Sequence, residues 1–226
     1  MMRPALSVLF ILGAGSVTAG DFTPPKGCTA YLTVQDSNCQ VEHHWTCDAD
    51  PAGDRWHTEI GQNGPVYIGR IDNEAQWLDS YDIPENARDT LIMPAPDPAS
   101  LTDLFAEGLD TYEFTLNTPL GQRTATGYDR IAEHNVTIDG EILDRTEYAI
   151  RITDEAGNVT FAAEGSEYVS QKHRRFFSGY GTVTEPEEPY TYRAAPVQFI
   201  YPGEKGYLSN TPQFGCDVLS ARAVLQ

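Results

Sequence analysis

The chain has no C-x-x-C pair, no G-x-S-x-G after its first twenty residues, and no long apolar run beyond that point. The first absence removes the usual signature of a thioredoxin-type redox site and of a paired-cysteine zinc site. The second removes the nucleophile elbow of the α/β-hydrolases, since "EGSEY" around Ser166 lacks the second glycine and the strand-to-helix setting. The third leaves no transmembrane segment in the body of the chain. Basic residues are few as well: 15 Lys and Arg stand against 33 Asp and Glu, a formal net charge of −18. A field of that sign repels phosphate backbones and anionic headgroups, which argues against nucleic acid and lipid surfaces as partners. Helical periodicity is scarce, and no internal repeat or low-complexity tract is present.

What is there begins with a leader. Residues 1–20, "MMRPALSVLFILGAGSVTAG", carry one positive charge at Arg3, an apolar run from Ala5 to Leu12, and a small-residue end suited to a signal peptidase. They read as an export signal, which implies a periplasmic or secreted protein. Residues 21–226 then read as one β-rich domain, a length at which all-β chains are commonly single.

Period-two alternation predicts strands at 29–35, 39–47, 55–60, 65–71 and 75–82, the N-terminal set spanning about residues 28–82. A connection over 83–100, "IPENARDTLIMPAPDPAS", follows, in which Pro94, Pro96 and Pro98 discourage both helix and central strand. A short helix is expected from Ala99 to Glu107, capped by Asp97 or Ser100. A second strand set fills about 109–208, with strands at 111–118, 122–131, 135–143, 145–153, 158–163, 166–172 and 190–200. Tyr112, Phe114 and Leu116 share one face, as do Tyr148, Ile150 and Ile152. Asn63-Gly64, Asp139-Gly140 and "DEAGN" (154–158) are hairpin signals. Together these give an all-β fold, a single mostly antiparallel barrel, half-barrel or sandwich with one short helix, stapled by two disulfides.

The stretch "CQVEHHWTC", residues 39–47, sets two cysteines around two histidines and a tryptophan. Cys39 and Cys47 cannot join if the stretch is a strand, because eight strand residues span about 26 Å and a disulfide needs its α-carbons within about 7 Å. With a two-residue turn at Ser37-Asn38, Val34 opposes Val41, Leu32 opposes His43, Ala30 opposes Trp45, and Cys28 opposes Cys47. This register puts Ala30, Leu32, Val34, Val41 and Trp45 on one apolar face, and Thr29, Thr33, Gln35, Gln40, Glu42, His44 and Thr46 on the other. It favours Cys28–Cys47 and leaves Cys39 for Cys216; the alternative is Cys28–Cys39 with Cys47–Cys216. Disulfides belong to an oxidising compartment, in keeping with export. His43 and His44 point to opposite faces of a strand, so they do not clasp one metal together.

Three further constellations are candidate sites. Asp48, Asp50, Asp54 and Glu59 fall at the first, third, seventh and twelfth places of a calcium-loop pattern with Gly53 at the sixth, although Pro51, Ala52 and the flanking strands depart from it. Calcium is the one cofactor this spacing offers. Lys172, Arg174 and Arg175 in "QKHRR" suit an anionic ligand or a partner's carboxylates, or else answer neighbouring acids from a strand. Trp56 and Trp77 suit a sugar- or lipid-binding wall.

In outline the expected fold resembles periplasmic half-barrels that carry apolar ligands, an analogy of architecture alone. The leading expectation for function is an exported, non-enzymatic protein that binds a small or apolar ligand, or an envelope component, in the concave face of its sheet. The alternatives are an interaction or structural module without a pocket, and a hydrolase using carboxylates and a histidine. An apolar cavity, a filled core with an exposed patch, and a polar cleft with clustered acid and histidine would mark these three in turn.

Overall fold

Thirteen antiparallel strands make one sheet in the computed structural model, which describes residues 21–185 and 188–216. Residues 1–20, expected to be an export leader, lie outside the described residues. The N-terminal strands are β1 (Cys28–Asp36), β2 (Val41–Cys47), β3 (Arg55–Gly61), β4 (Gly64–Ile71), β5 (Trp77–Asp82) and β6 (Ala87–Asp97). After the helix α1 (Leu101–Glu107) come β7 (Leu109–Thr118), β8 (Gly121–Ile138), β9 (Glu141–Asp154), β10 (Val159–Ser170), β11 (Arg175–Glu185), β12 (Tyr190–Arg193) and β13 (Pro196–Ile200). Each of β1 to β12 pairs with its sequence neighbour, and β13 returns to the free edge of β1.

That return makes the sheet curl. β12 and β13 are its two opposite edges, yet only Ala194 and Ala195 separate them in the chain. Two residues reach roughly 7 Å, so the edges meet at this corner. The Ala194 N–H donates to Gly179 on the β11 side (2.7 Å), and the Ala195 carbonyl accepts from the Ser37 N–H on the β1 side (3.0 Å). Beyond the corner the ladder does not close. The N–H of Phe199 in β13 is instead taken by the side chain of Asp139, from the β8–β9 turn (2.9 Å). β8 is 18 residues long and shifts register twice, between Ile131 and Glu133 and between Glu133 and Val136. Those shifts accompany a bend that brings the hairpin end against the seam, where Leu143 packs with Leu32, Val34, Phe177 and Phe199.

The first hairpin departs from the expected register. The turn leaves Ser37, Asn38 and Cys39 unpaired, with Asp36 N–H donating to Gln40 (3.0 Å), and Cys39 lies at φ 61°. A bulge at Tyr31 absorbs the extra residue. Cys28 still faces Cys47 and Ala30 still faces Trp45, but Leu32 now faces His44, Thr33 faces His43, and Val34 faces Glu42. The apolar set is therefore split between two faces. Leu32 and Val34 go inward with Glu42 and His44, while Ala30, Val41 and Trp45 go outward with His43. Both faces are buried all the same, because the outer one is covered by Phe22 and by the C-terminal segment. Two disulfides fix this region, Cys28–Cys47 and Cys39–Cys216.

Other expectations are corrected by pairing. The proline-rich connection contains β6, which Pro94 and Pro96 enter without breaking a ladder: β5 pairs only with Ala87 to Thr90, and the register with β7 jumps between Ile92 and Asp97. The segments expected at 135–143 and 145–153 are divided by the Asp139-Gly140 turn into the end of β8 and all of β9. The strands at 158–163 and 166–172 are one strand, β10, and residues 171–174 are a turn. The expected strand at 190–200 is two, β12 and β13. α1 starts two residues later than expected, with Ser100 accepting from the Asp103 N–H and Gly108 ending the helix at φ 78°. Leu101 and Leu104 bury its inner side against Ile71 and Val169.

β11 went unforeseen, and glycine is the reason. Gly179 and Gly181 dilute its β-forming residues, but both are required by close strand approach. A Cβ on Gly179 would sit 1.9 Å from the Ser166 carbonyl oxygen, and that neighbour is backbone. Gly179→Ala must therefore part β10 from β11. We expect it to cost about 3 kcal/mol, measured by urea denaturation, with an unchanged midpoint refuting the close approach.

Candidate functional site

The curled sheet lines an open-mouthed cavity of about 480 Å³, walled by residues from ten of the strands. Its apolar side is built from inward positions of the second half of the sheet: Phe114 on β7, Ile150 on β9, Phe161 on β10 and Val183 on β11. Two glycines let the tyrosines of the wall pack close to the sheet. Gly127 lies under the Tyr112 hydroxyl, and Gly181 lies under the rings of Tyr148 and Tyr192. The hydroxyls of Tyr148 and Tyr192 are hydrogen-bonded to each other.

The polar side comes from β2, β3 and β11. Glu42 and Glu59 face inward, and each stands beside a histidine: His44 Nε2 is 3.1 Å from Glu42, and His57 Nε2 is 3.7 Å from Glu59. His44 is fully buried; desolvation, and then the charge of Arg175, hold its pKa well below the usual value, so the ring is neutral. Arg175 is 3% exposed and lines the cavity. Its Nε donates to the Phe176 carbonyl (3.3 Å), its guanidinium lies 5.6 Å from the Phe177 ring centre, and its Nη1 has no partner among the described residues.

Two further carboxyls point into the same space, Asp129 on β8 and Glu167 on β10. Burial, followed by the charges of Glu167 and Asp110, pushes Asp129 well above the usual carboxylate range. Burial and then Glu42 push Glu167 up to about 7. The wall thus holds one carboxyl half-ionised near neutral pH and another shifted in the same direction.

The sequence-derived candidates separate on this map. Of Lys172, Arg174, Arg175, Trp56 and Trp77, only Arg175 and Trp77 line the cavity. Lys172 binds Glu141 (2.8 Å) and the Tyr201 hydroxyl (2.7 Å), and Arg174 binds Glu74 and the Asn73 carbonyl, so both answer neighbouring groups from the β10–β11 turn. Trp56 is on the outer face, stacked on Trp45, and donates to Asp50 (2.7 Å). Trp77 is 44% exposed and meets Phe114 edge-on. The calcium-pattern residues do not converge either. Asp50 and Asp54 face Arg70 at 3.7 and 3.2 Å, Asp48 is exposed, and Glu59 is turned into the cavity. Among the described residues no group of three His, Cys, Asp or Glu is placed to hold a metal ion.

His43, on the outer face of β2, belongs to the clasp that holds the C-terminal segment. Burial lowers its pKa to about 4, so it is neutral. It accepts from the Thr33 hydroxyl at Nδ1 (3.0 Å) and donates from Nε2 to Asn210 (3.1 Å), while Thr33 in turn accepts from the Leu208 N–H (3.0 Å). Asp129, Glu167, Glu42 and Tyr112 were missed as site residues. The available signal was an acid at an inward position of a strand whose same-face neighbours are small or aromatic.

No family model, no curated protein and no solved structure matches the chain. Among the described residues no helix is long and apolar enough to cross a membrane.

Proposed function

We propose that this is an exported, non-enzymatic binding protein that holds a small, partly apolar ligand in the cavity of its curled sheet. The observation that carries the reading is the cavity itself: about 480 Å³ falls within the roughly 300–1,000 Å³ of ligand pockets, and it joins an aromatic and aliphatic wall to a few polar groups. A pocket whose wall carries two carboxyls, Asp129 and Glu167, without a partner among the described residues is better explained by a ligand than by packing. Export is supported by the leader and by two disulfides, which suit an oxidising compartment. A pocketless interaction module would have its interior filled.

Native mass spectrometry of the mature protein purified from its own host tests the reading. The expected result is an adduct of small-molecule mass that is lost on denaturation. A clean apoprotein mass, together with failure to take up any apolar probe, overturns it.

A further inference from the structure

We propose that the cavity is a receptor for an organic cation, a protonated amine or quaternary ammonium on an apolar body, whose charge sits between Asp129 and Glu167. This deepens the binding reading and rests on it. Asp129 is 8% exposed, faces the cavity, and its carboxyl makes no hydrogen bond or ion pair among the described residues; the Glu167 side chain is likewise without a partner. Such groups are costly to bury unanswered. Four other buried acids are answered: Asp54 and Asp79 face Arg70 and Arg88, Asp110 accepts from the Ser100 N–H, and Asp144 accepts from the Asn135 N–H. Asp36, 2% exposed, also has a carboxyl oxygen without a partner among the described residues, but it does not line this cavity.

Three tyrosines line the cavity with the two carboxyls, and Tyr148 faces Asp129 across the β8–β9 ladder. Tyr112 on β7 feels both of them, and Tyr148 on β9 and Tyr192 on β12 feel Glu167; each phenol is pushed up in consequence, after burial. Carboxylates beside aromatic rings are the chemistry that recognises ammonium groups. Phe114, Ile150, Phe161 and Val183 are left to contact the apolar body. An anion is disfavoured, because Arg175 lines the same cavity as Glu42, Glu59, Asp129 and Glu167, and an anion drawn to it would meet an excess of acids. A neutral ligand leaves Asp129 and Glu167 without a counter-charge. The formal charge of −18 adds long-range attraction for cations.

The test is calorimetric titration of the mature protein at about pH 8 with three probes of one skeleton: phenylbutylamine, phenylbutanol and phenylbutyrate. At that pH the amine is charged and Glu167 is largely ionised. The amine is expected to bind at least about tenfold more tightly than the alcohol, and the acid most weakly. Asp129→Asn and Glu167→Gln should each weaken the amine by about tenfold or more and leave the alcohol unchanged. Glu167→Gln should do so while melting higher than the wild type, a combination that a merely structural role does not produce. Should Asp129→Asn fail to fold, Glu167→Gln and the ranking of probes still decide. Binding of the alcohol or acid at least as tight as the amine overturns the cation while sparing the binding reading. No uptake of any probe, with a clean native apoprotein mass, overturns both.

Discussion

Removing the Cys39–Cys216 bridge, with Cys39→Ala and Cys216→Ser together, is expected to cost about 5 kcal/mol. The bridge closes a separation of 177 residues, against 19 for Cys28–Cys47, for which the same chain-entropy argument gives about 3 kcal/mol. Loss of that size is a large part of the roughly 5–15 kcal/mol by which a domain is stable. The bridge also anchors the segment that covers the outer face of β1 and β2. There the Gln35 side chain donates to the Thr211 carbonyl and accepts from the Gln213 N–H, and His43 and Thr33 reach Asn210 and Leu208. Once the anchor is cut, these buried polar groups depend on a segment held only by its own contacts. Urea denaturation should show the lowered midpoint, and hydrogen exchange should show Leu208 and Gln213 amides opening before those of β8 and β9. An unchanged midpoint, or exchange rising evenly over the sheet, would refute the anchoring role.

The same region shows what the sequence could and could not reveal. Alternation in 29–47 is strong enough to give the hairpin and the opposition of Cys28 with Cys47, because that end of the ladder lies beyond the bulge from the turn. It does not reveal the bulge at Tyr31, and without it Leu32 and Val34 are placed beside Trp45 when they in fact lie with Glu42 and His44. Polar and apolar alternation stops marking inside and outside once both faces are buried, and here the second face is covered in part by residues more than 160 positions away, such as Asn210 on His43. β11 fails for a different reason. Its glycines are dictated by the Ser166 and Glu164 carbonyls of β10, a tertiary demand that overrides local propensity. The cavity acids were equally hidden. Asp129 and Glu167 look in the sequence like two of 33 solvated carboxylates, and only the curl of the sheet, forced at Ala194 and Ala195, turns them inward. "QKHRR" shows the converse: three adjacent cations look like one site, but a turn ends at Arg174 and a strand begins at Arg175, so their directions part.

Glu167→Gln should make the protein more stable above neutral pH and leave it unchanged near about pH 4. In the folded protein the Glu167 carboxyl is pushed up to about 7 from 4.5, by burial first and by Glu42 second. A carboxyl raised in this way contributes stability that is complete below the unfolded value and is lost as pH rises through the folded one, because the unfolded chain ionises first. The loss between about pH 4.5 and pH 7 is about 3 kcal/mol. Glutamine mimics the protonated acid and cannot ionise, so the variant keeps that stability at about pH 8 and should melt roughly 6–12 °C higher there. Asp129, raised in the same direction, would add to the slope. His43 and His173 work from the other side: burial depresses both to about 4, so their contribution is complete above about 6.5 and lost as pH falls toward 4. Wild type and variant should therefore share one acid limb and separate only on the alkaline side, in calorimetric scans from about pH 4 to pH 9. Parallel curves over the whole range would mean that Glu167 is solvated like any surface acid. If the curves do separate, the native residue is one that weakens its own fold at neutral pH, and a residue retained at such a cost is expected where charge is needed to meet charge.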